Sequence, residues 1–319
     1  MTASTELTWT LPHIVAGVMV LSLNAYVLLG GADFGGGVWD FFARGSKRDE
    51  QRALIAEAIG PIWEANHVWL ILVVVLLFSC FPKAFAHLAT ELHVPITIML
   101  VGVVLRGSAF TFRTYDSKQD DVQRRWGRVF SIASLLTPII QGVCLGTVAS
   151  GGVPMRTPQQ AAALTFVERF VQPWFSSVFP WAVGMLTLLI TAAATLAVAR
   201  VENRMLFDGL TRGGTAMVMH AVTALAAATS LWALASRRFQ IARLAAAAQA
   251  SFILWGWAWT QFPWLLPPDR TITSLAAPRI TLQFILGALG AGTVILLPSF
   301  VYLFRVFKRG ETVFDEGHA

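Results

Sequence analysis

The stretch AIGPIWEANHVWLILVVVLLF, residues 58–78, sets an acid, Glu64, at the mouth of an unbroken apolar run. The run and its neighbours are long enough for a helix that crosses a bilayer. A carboxylate there is costly unless it is paired or wetted, so an ionisable group inside a span is a functional candidate by default. On a helix, Glu64 and His67 are three apart and share one face, where they can share a proton or a water. The plainer alternative is that Glu64 caps a helix starting near Pro61 and meets water on its exposed side.

The rest of the chain agrees with a membrane setting. Of 319 residues, 55% are hydrophobic and only 13% charged, which predicts an all-α polytopic membrane protein. The net charge is +6, but the basic residues cluster in short loops between apolar runs. That is the bias of cytoplasmic loops and not of a nucleic-acid surface. Cys80 and Cys144 fall in apolar runs and read as small packing residues, not a disulfide. The N-terminus lacks a basic region before its first apolar stretch, so no cleavable signal is expected and the first span is retained.

Eight apolar segments are long enough to span, at 12–30, 65–81, 92–112, 129–149, 176–199, 215–235, 240–262 and 281–305. They form two four-helix bundles: an N-terminal half, 1–150, with the polar motifs, a polar connector, 151–172, and a C-terminal half, 173–319. No repeat relates the halves, so an inverted-repeat transporter gains no support. Placing the loops after the first, third and fifth spans in the cytoplasm gathers most basic residues there. The loop RTYDSKQDDVQRRWGR, residues 113–128, is the clearest of them, with five basic residues. Strict alternation then puts SRRFQIAR, 236–243, and the basic tail outside, against the bias. A crossing fewer in the second half, or contacts with a partner, resolves the conflict.

The polar residues crowd into the first four spans. The first ends in LLGGADFGGGVWD, residues 28–40. Its glycines allow a sharp turn or a close approach, with Asp33 either a cap or turn residue or a polar group facing a partner or cofactor. FFARGSKRDEQRALIAEA, 41–58, reads as an amphipathic connector on the membrane surface. In FPKAFAHLATELHVP, 81–95, His87 and Glu91 are four apart, but two ligands without a third make a poor metal site, and a solvated interfacial turn is expected. Arg106, in VVLRGSAFTFR, needs a carboxylate, a carbonyl-lined cavity or room to snorkel, with Glu64 or a group on a partner subunit as its candidates. Thr137, Pro138 and Gln141 bring polar groups to mid-membrane in TPIIQGVCLGTVASGG, where Gln141 is helix–helix glue or part of a polar pathway. In the second half, His220 reads as a packing residue. Trp255, Trp257, Trp259 and Trp264 read as an interfacial belt.

At AIGPIWEANHVWL the chain resembles subunit II of the cytochrome bd-type quinol oxidases, a divergent and short member of that family. The family's Trp, acid, small residue, Asn and later Trp-Leu are matched by Trp63, Glu64, Ala65, Asn66, Trp69 and Leu70. GGADFGGGV looks like its DGFDxGVG, LRGSAFTFR like its FRPxxFxxR, TPIIQGVCLGTV like its fourth-helix segment, and FPWLLPP like its FPxxMPS. The match is strong over the first 150 residues and thinner beyond.

The resemblance implies a non-haem membrane subunit of a terminal quinol:oxygen oxidoreductase, not catalytic alone. Haems b and d, or variant haems, and the quinol site would belong to the partner, subunit I. No cofactor is assigned to this chain alone, and no metal to its histidines, although a bound quinone or lipid stays open. A small single-helix subunit is a further possible partner. The expected location is the bacterial cytoplasmic membrane. The implied role is packing on subunit I and a hydrophilic proton route on which Glu64 lies, with His67, Thr111 and Gln141 as further members. Asp33, Trp63, Asn66, Trp69 and Arg106 are expected to be structural or subunit-interface polar residues. Two family acids are absent: Gly30 and Thr111 stand in their places, leaving water, Thr111 or His67 as substitutes. The family's nine spans also exceed the eight counted. The competing readings are a proton-coupled small-molecule transporter built on Glu64, Arg106 and Asp33, and a membrane anchor whose buried charges serve helix contacts only.

Overall fold

The computed structural model describes residues 10–42, 52, 63–115, 120–189, 214–236 and 238–314. It is helical, as a bilayer demands of a chain that must satisfy its backbone internally. Helix α1, Leu11–Phe42, packs on α2, Trp63–Cys80. After a bend of 115° comes the short α3, Pro82–Glu91. Helices α4, His93–Tyr115, and α5, Asp120–Ala149, lie side by side, and α5 also packs on α1.

Three short helices follow: α6, Pro158–Ala162, α7, Phe166–Phe170, and α8, Gln172–Phe175. Helix α9, Val178–Leu189, returns onto α5. The pair α10, Gly214–Ala235, and α11, Phe239–Gln261, precedes a small hairpin of β1, Trp264–Leu266, and β2, Arg270–Thr271. The chain closes with α12, Ile272–Leu275, and the long α13, Arg279–Phe314.

Among the described residues, four helices are long and apolar enough to cross a membrane: Leu11–Gly35, His93–Phe112, Arg125–Ala149 and Arg279–Leu296. Asn66–Cys80 with Pro82–Glu91 makes a fifth if the bent pair is one span. The protein is thus multi-pass and helical. The segment expected at 176–199 runs into residues outside the described ones. Packing crosses the connector, since α9 lies on α5 and both α11 and α13 touch α1.

One expectation about α1 is overturned. The helix does not end or turn at GGADFGGGVWD but runs on through Phe42, 32 residues in all. A glycine costs a helix about 1 kcal/mol relative to alanine, whereas an unsatisfied backbone group in hydrocarbon costs several. Continuing the helix is therefore the cheaper solution, and Asp33 becomes a mid-helix residue instead of a cap. Small residues serve close approach elsewhere too. A Cβ on Gly184 of α9 would stand 2.6 Å from the Ile139 carbonyl of α5, so the two helices meet almost backbone to backbone.

The largest apolar core joins the two ends of the sequence. Val15 of α1, Leu76 and Cys80 of α2, and Phe81 and Ala84 beyond the bend meet Leu266, Ile272, Leu275 and Leu282. The Ala277 N–H donates to the Cys80 carbonyl at 2.6 Å, capping the C-terminal end of α2 with the hairpin region. Val68, Ile71, Val75 and Phe78 on α2, and Val101, Val104 and Leu105 on α4, are exposed. Those faces suit hydrocarbon or another apolar helix. Of the four tryptophans expected in an interfacial belt, Trp255 and Trp259 are exposed on α11, whereas Trp257 and Trp264 are half-buried.

Candidate functional site

Tyr26, Asp33 and Asp40 are spaced by seven residues along α1. Seven residues are almost two helical turns, with a drift of about 20° per step, so the three side chains form one stripe. All three are buried; Tyr26 and Asp40 each meet a polar side chain of α5, and Asp33 is linked to α5 through Arg106. Helix α5 runs antiparallel to α1, so its partners descend in number as the stripe ascends.

At the first level, the Gln141 amide donates to the Tyr26 hydroxyl. At the second, Asp33, 0% exposed, is held by Arg106 of α4, 1% exposed. The Arg106 Nη2 donates both to the Asp33 carboxylate and, at 2.9 Å, to its backbone carbonyl. Its Nε donates to Ser134 Oγ at 3.0 Å. Phe34 and Phe130 flank the guanidinium, with ring centres 4.8 and 5.0 Å away. Asn66 of α2 adds an N–H toward Asp33 Oδ2 at 3.4 Å. At the third level, Asp40 accepts from Ser131 Oγ at 2.6 Å. Arg52 donates to the Asp40 backbone carbonyl through Nη2 at 3.2 Å, and its Nε lies 3.6 Å from Oδ1.

Burying ions this deeply costs several kcal/mol per charge before their attraction is counted. The arrangement offsets that cost with several hydrogen bonds per charged group. Glycines make the close approaches possible. A Cβ on Gly37 would lie 2.1 Å from Ser134 Oγ, and one on Gly30 would lie 3.2 Å from Asn66 Nδ2. The Asn66 amide thus stands directly against Gly30. Its Oδ1 meets no donor among the described residues.

The structure therefore unites Asp33, Asn66 and Arg106. Among the described residues the partner of Arg106 is Asp33 of the same chain, where Glu64 or a group on a partner subunit was expected. The reason is the unbroken α1, which carries Asp33 round to face α4. Gln141 lies two turns along α5 from Ser134, bonded to Tyr26. Thr111 is apart from them: it is exposed and donates to the Gly107 carbonyl of its own helix at 3.0 Å. His67 and Trp69 are half-buried on α2. Trp63 and Glu64 open that helix, but their side chains lie outside the described residues. The His220 side chain and the residues 116–119 of the basic loop lie outside them as well.

Sequence reasoning passed over Tyr26, Asp40, Ser131 and Ser134. The seven-residue spacing on the first span was the available signal. A second ion cluster was also missed. Glu91, expected in a solvated turn, is instead a helical residue buried where α3 meets α4. Its Oε1 accepts from Arg169 Nε at 3.1 Å and Nη2 at 2.7 Å, and its Oε2 from Arg156 Nη1 at 3.2 Å. Two arginines from the connector exclude the water that an isolated turn would have admitted. His87 meets the Val153 carbonyl at 2.9 Å, and His93 the Thr90 carbonyl at 2.9 Å. Among the described residues, no three His, Cys, Asp or Glu side chains group as metal ligands.

The family model for cytochrome bd terminal oxidase subunit II matches residues 11–206 and 185–307. The chain is 35% identical over 128 residues to cytochrome bd ubiquinol oxidase subunit 2 of Bacillus subtilis, which is 40% of this chain and 36% of that one. It is 26% identical over 140 residues to cytochrome bd-I ubiquinol oxidase subunit 2 of Escherichia coli K12, covering 43% and 35%. These alignments span little more than a third of each relative's length. The fold is like that of a chain in the bd oxidase from Geobacillus thermodenitrificans, with a TM-score of 0.70 at 22% identity over 94% of this chain and 99% of that one. With the family model matched over most of its length, the chain belongs to the cytochrome bd terminal oxidase subunit II family.

Proposed function

We propose that this chain is the non-haem membrane subunit of a bd-type quinol:oxygen oxidoreductase in a bacterial cytoplasmic membrane. It packs on a haem-bearing subunit I and helps deliver protons for reduction of oxygen to water. The observation that carries this reading is the buried polar stripe between α1 and α5. Ionisable groups at 0–1% exposure inside spans are expensive and mark pathways for ions or protons. Haems b and d, or variant haems, belong to subunit I in this reading and supply the oxygen chemistry there.

What this chain's own residues contribute is a wettable lane in an apolar setting. Asp33 is a carboxylate held in place by Arg106 and approached by Asn66. Tyr26 and Gln141 extend the lane along α1 and α5. Glu64, with His67 one turn on, stands at the start of α2, close in sequence to Asn66. Packing on subunit I falls to the exposed apolar faces, such as Val101, Val104 and Leu105 of α4. The transporter reading needs polar groups in both halves, whereas these lie in the first.

The test is Glu64→Gln in the assembled complex. Quinol-driven oxygen uptake should fall while haem spectrum and assembly stay normal. Unchanged turnover removes Glu64 from the route. A tagged chain that purifies alone and without haem overturns the oxidase reading itself.

A further inference from the structure

We propose that Asp40 is the cytoplasm-facing proton-relay carboxylate of this chain, handing protons through Ser131 and Ser134 to the Asp33–Arg106 pair. The inference rests on the proton-delivery reading and names a carrier that reading lacked.

Four observations carry it. Asp40 is fully buried and sits seven residues from Asp33, about 10 Å along α1 at the helical rise. The gap is bridged from α5. Ser131 donates to Asp40 Oδ2 at 2.6 Å, while Ser134 accepts from Arg106 Nε at 3.0 Å, and Arg106 holds Asp33. Ser131 and Ser134 are three apart on one helix face, about 5–6 Å between their Cβ atoms, a space that one water can join. Gly37 lies between the two carboxylates on α1, and because a side chain there would run into Ser134 Oγ, its absence lets Ser134 pack directly against α1 between them. Finally, Arg52 covers Asp40 from the connector side with its side chain 19% exposed, which sets the carboxylate one residue from water.

Charge places that mouth on the cytoplasmic side. In the sequence, residues 43–52 follow α1 and residues 113–128 span the junction of α4 with α5, and both stretches are rich in Lys and Arg. The transfer balances without an oxidant or reductant. A proton from cytoplasmic water converts the Asp40 carboxylate to the acid. The acid protonates the Ser131 oxygen as the hydroxyl proton leaves to one intervening water; that water protonates the Ser134 oxygen as the Ser134 hydroxyl proton leaves to the Asp33 carboxylate, both groups being held by their shared partner Arg106. Asp40 is left as the carboxylate again. Arg106 keeps its own protons throughout and only fixes the positions of Asp33 and Ser134.

The experiment is Asp40→Asn in the complete complex, read by quinol-driven oxygen uptake in H2O and D2O beside the haem spectrum. Asn keeps an acceptor for Ser131 but cannot carry a proton. Uptake should fall by about a hundredfold, the lower end of what a positioned proton carrier contributes. The solvent isotope effect should rise, haem content should be unchanged, and Asp40→Glu should recover most of the rate. Wild-type uptake in Asp40→Asn, or equal losses in the Asn and Glu variants, overturns the proposal. If Asp40→Asn does not assemble, Ser131→Ala against Ser131→Thr decides it: loss confined to Ala supports the relay, and wild-type uptake in Ala overturns it. Slow Glu64→Gln with normal Asp40→Asn sinks only this inference. Normal turnover in both sinks proton delivery by this chain altogether.

Discussion

Asp33 and Glu91 are both carboxylates clamped by arginine, one inside the helix bundle and the other at its rim. Asp33 has one arginine, itself 1% exposed, and its neighbours continue as amide and hydroxyl groups toward α2 and α5. Glu91 has two, Arg156 at 21% and Arg169 at 25% side-chain exposure, and both come from the connector. The rim cluster is a staple: it ties residues 156–169 to the junction of α3 and α4, and its arginines keep part of their hydration. The inner pair has given that hydration up and is embedded in a polar stripe. The same pair of residue types thus does two jobs, set by depth and by what lies next along the helix.

The sharpest way to break this contrast is Arg106→Ala. It leaves Asp33 as a buried unpaired charge, which costs about 3–5 kcal/mol, so the yield of folded, assembled complex should collapse. Assembly at wild-type yield would falsify the description of Asp33–Arg106 as a desolvated pair. Arg169→Ala should be milder, because Arg156 remains on Glu91 and partial exposure screens what is lost. A charge-assisted bond discounted for solvent leaves about 1 kcal/mol, read as a small fall in the thermal midpoint of the purified complex. A fall as large as that for Arg106→Ala erases the distinction between rim and interior.

The smallest effect belongs to the connector's own fastening. The Thr165 backbone N–H and hydroxyl both donate to Glu168 at 2.8 Å, which holds that carboxyl below the ordinary glutamate range. A depressed folded-state value means the cap is present above the unfolded-state value and lost as pH falls through the folded one. Protection of the Thr165 amide from hydrogen exchange, corrected for its intrinsic rate, should therefore decline only on acidification. Constant protection across the acid range would remove Glu168 from the cap.

Much of the architecture was legible because a bilayer admits so few solutions. The segments expected at 65–81, 92–112 and 129–149 correspond to α2, α4 and α5. Asp33, Asn66 and Arg106 stood out because polar groups are rare in apolar runs. The partner of Arg106 was not legible, since 73 residues separate it from Asp33 and Glu64 or a group on a partner subunit looked the readier candidate. Asp40 escaped notice because an acid in WDFF, at the end of an apolar segment, looks like an interfacial residue. It is buried only because α1 outruns that segment and Ser131 closes over it. The connector helices did carry a local signal, since TPQQ and TFVE are capping boxes formed by Thr157 with Gln160 and Thr165 with Glu168.

By itself the sequence determined that this protein is a bundle of apolar helices, which residues inside them are polar, and which family the motif around Glu64 resembles. Those properties follow from composition and spacing, because transfer into hydrocarbon acts on each segment separately. Only the tertiary structure decided that Asp33 takes Arg106, that Glu91 takes two connector arginines, and that Asp40 joins the stripe through Ser131. A buried charge selects its partner by distance and direction across helices, and neither is written in the order of residues along one of them.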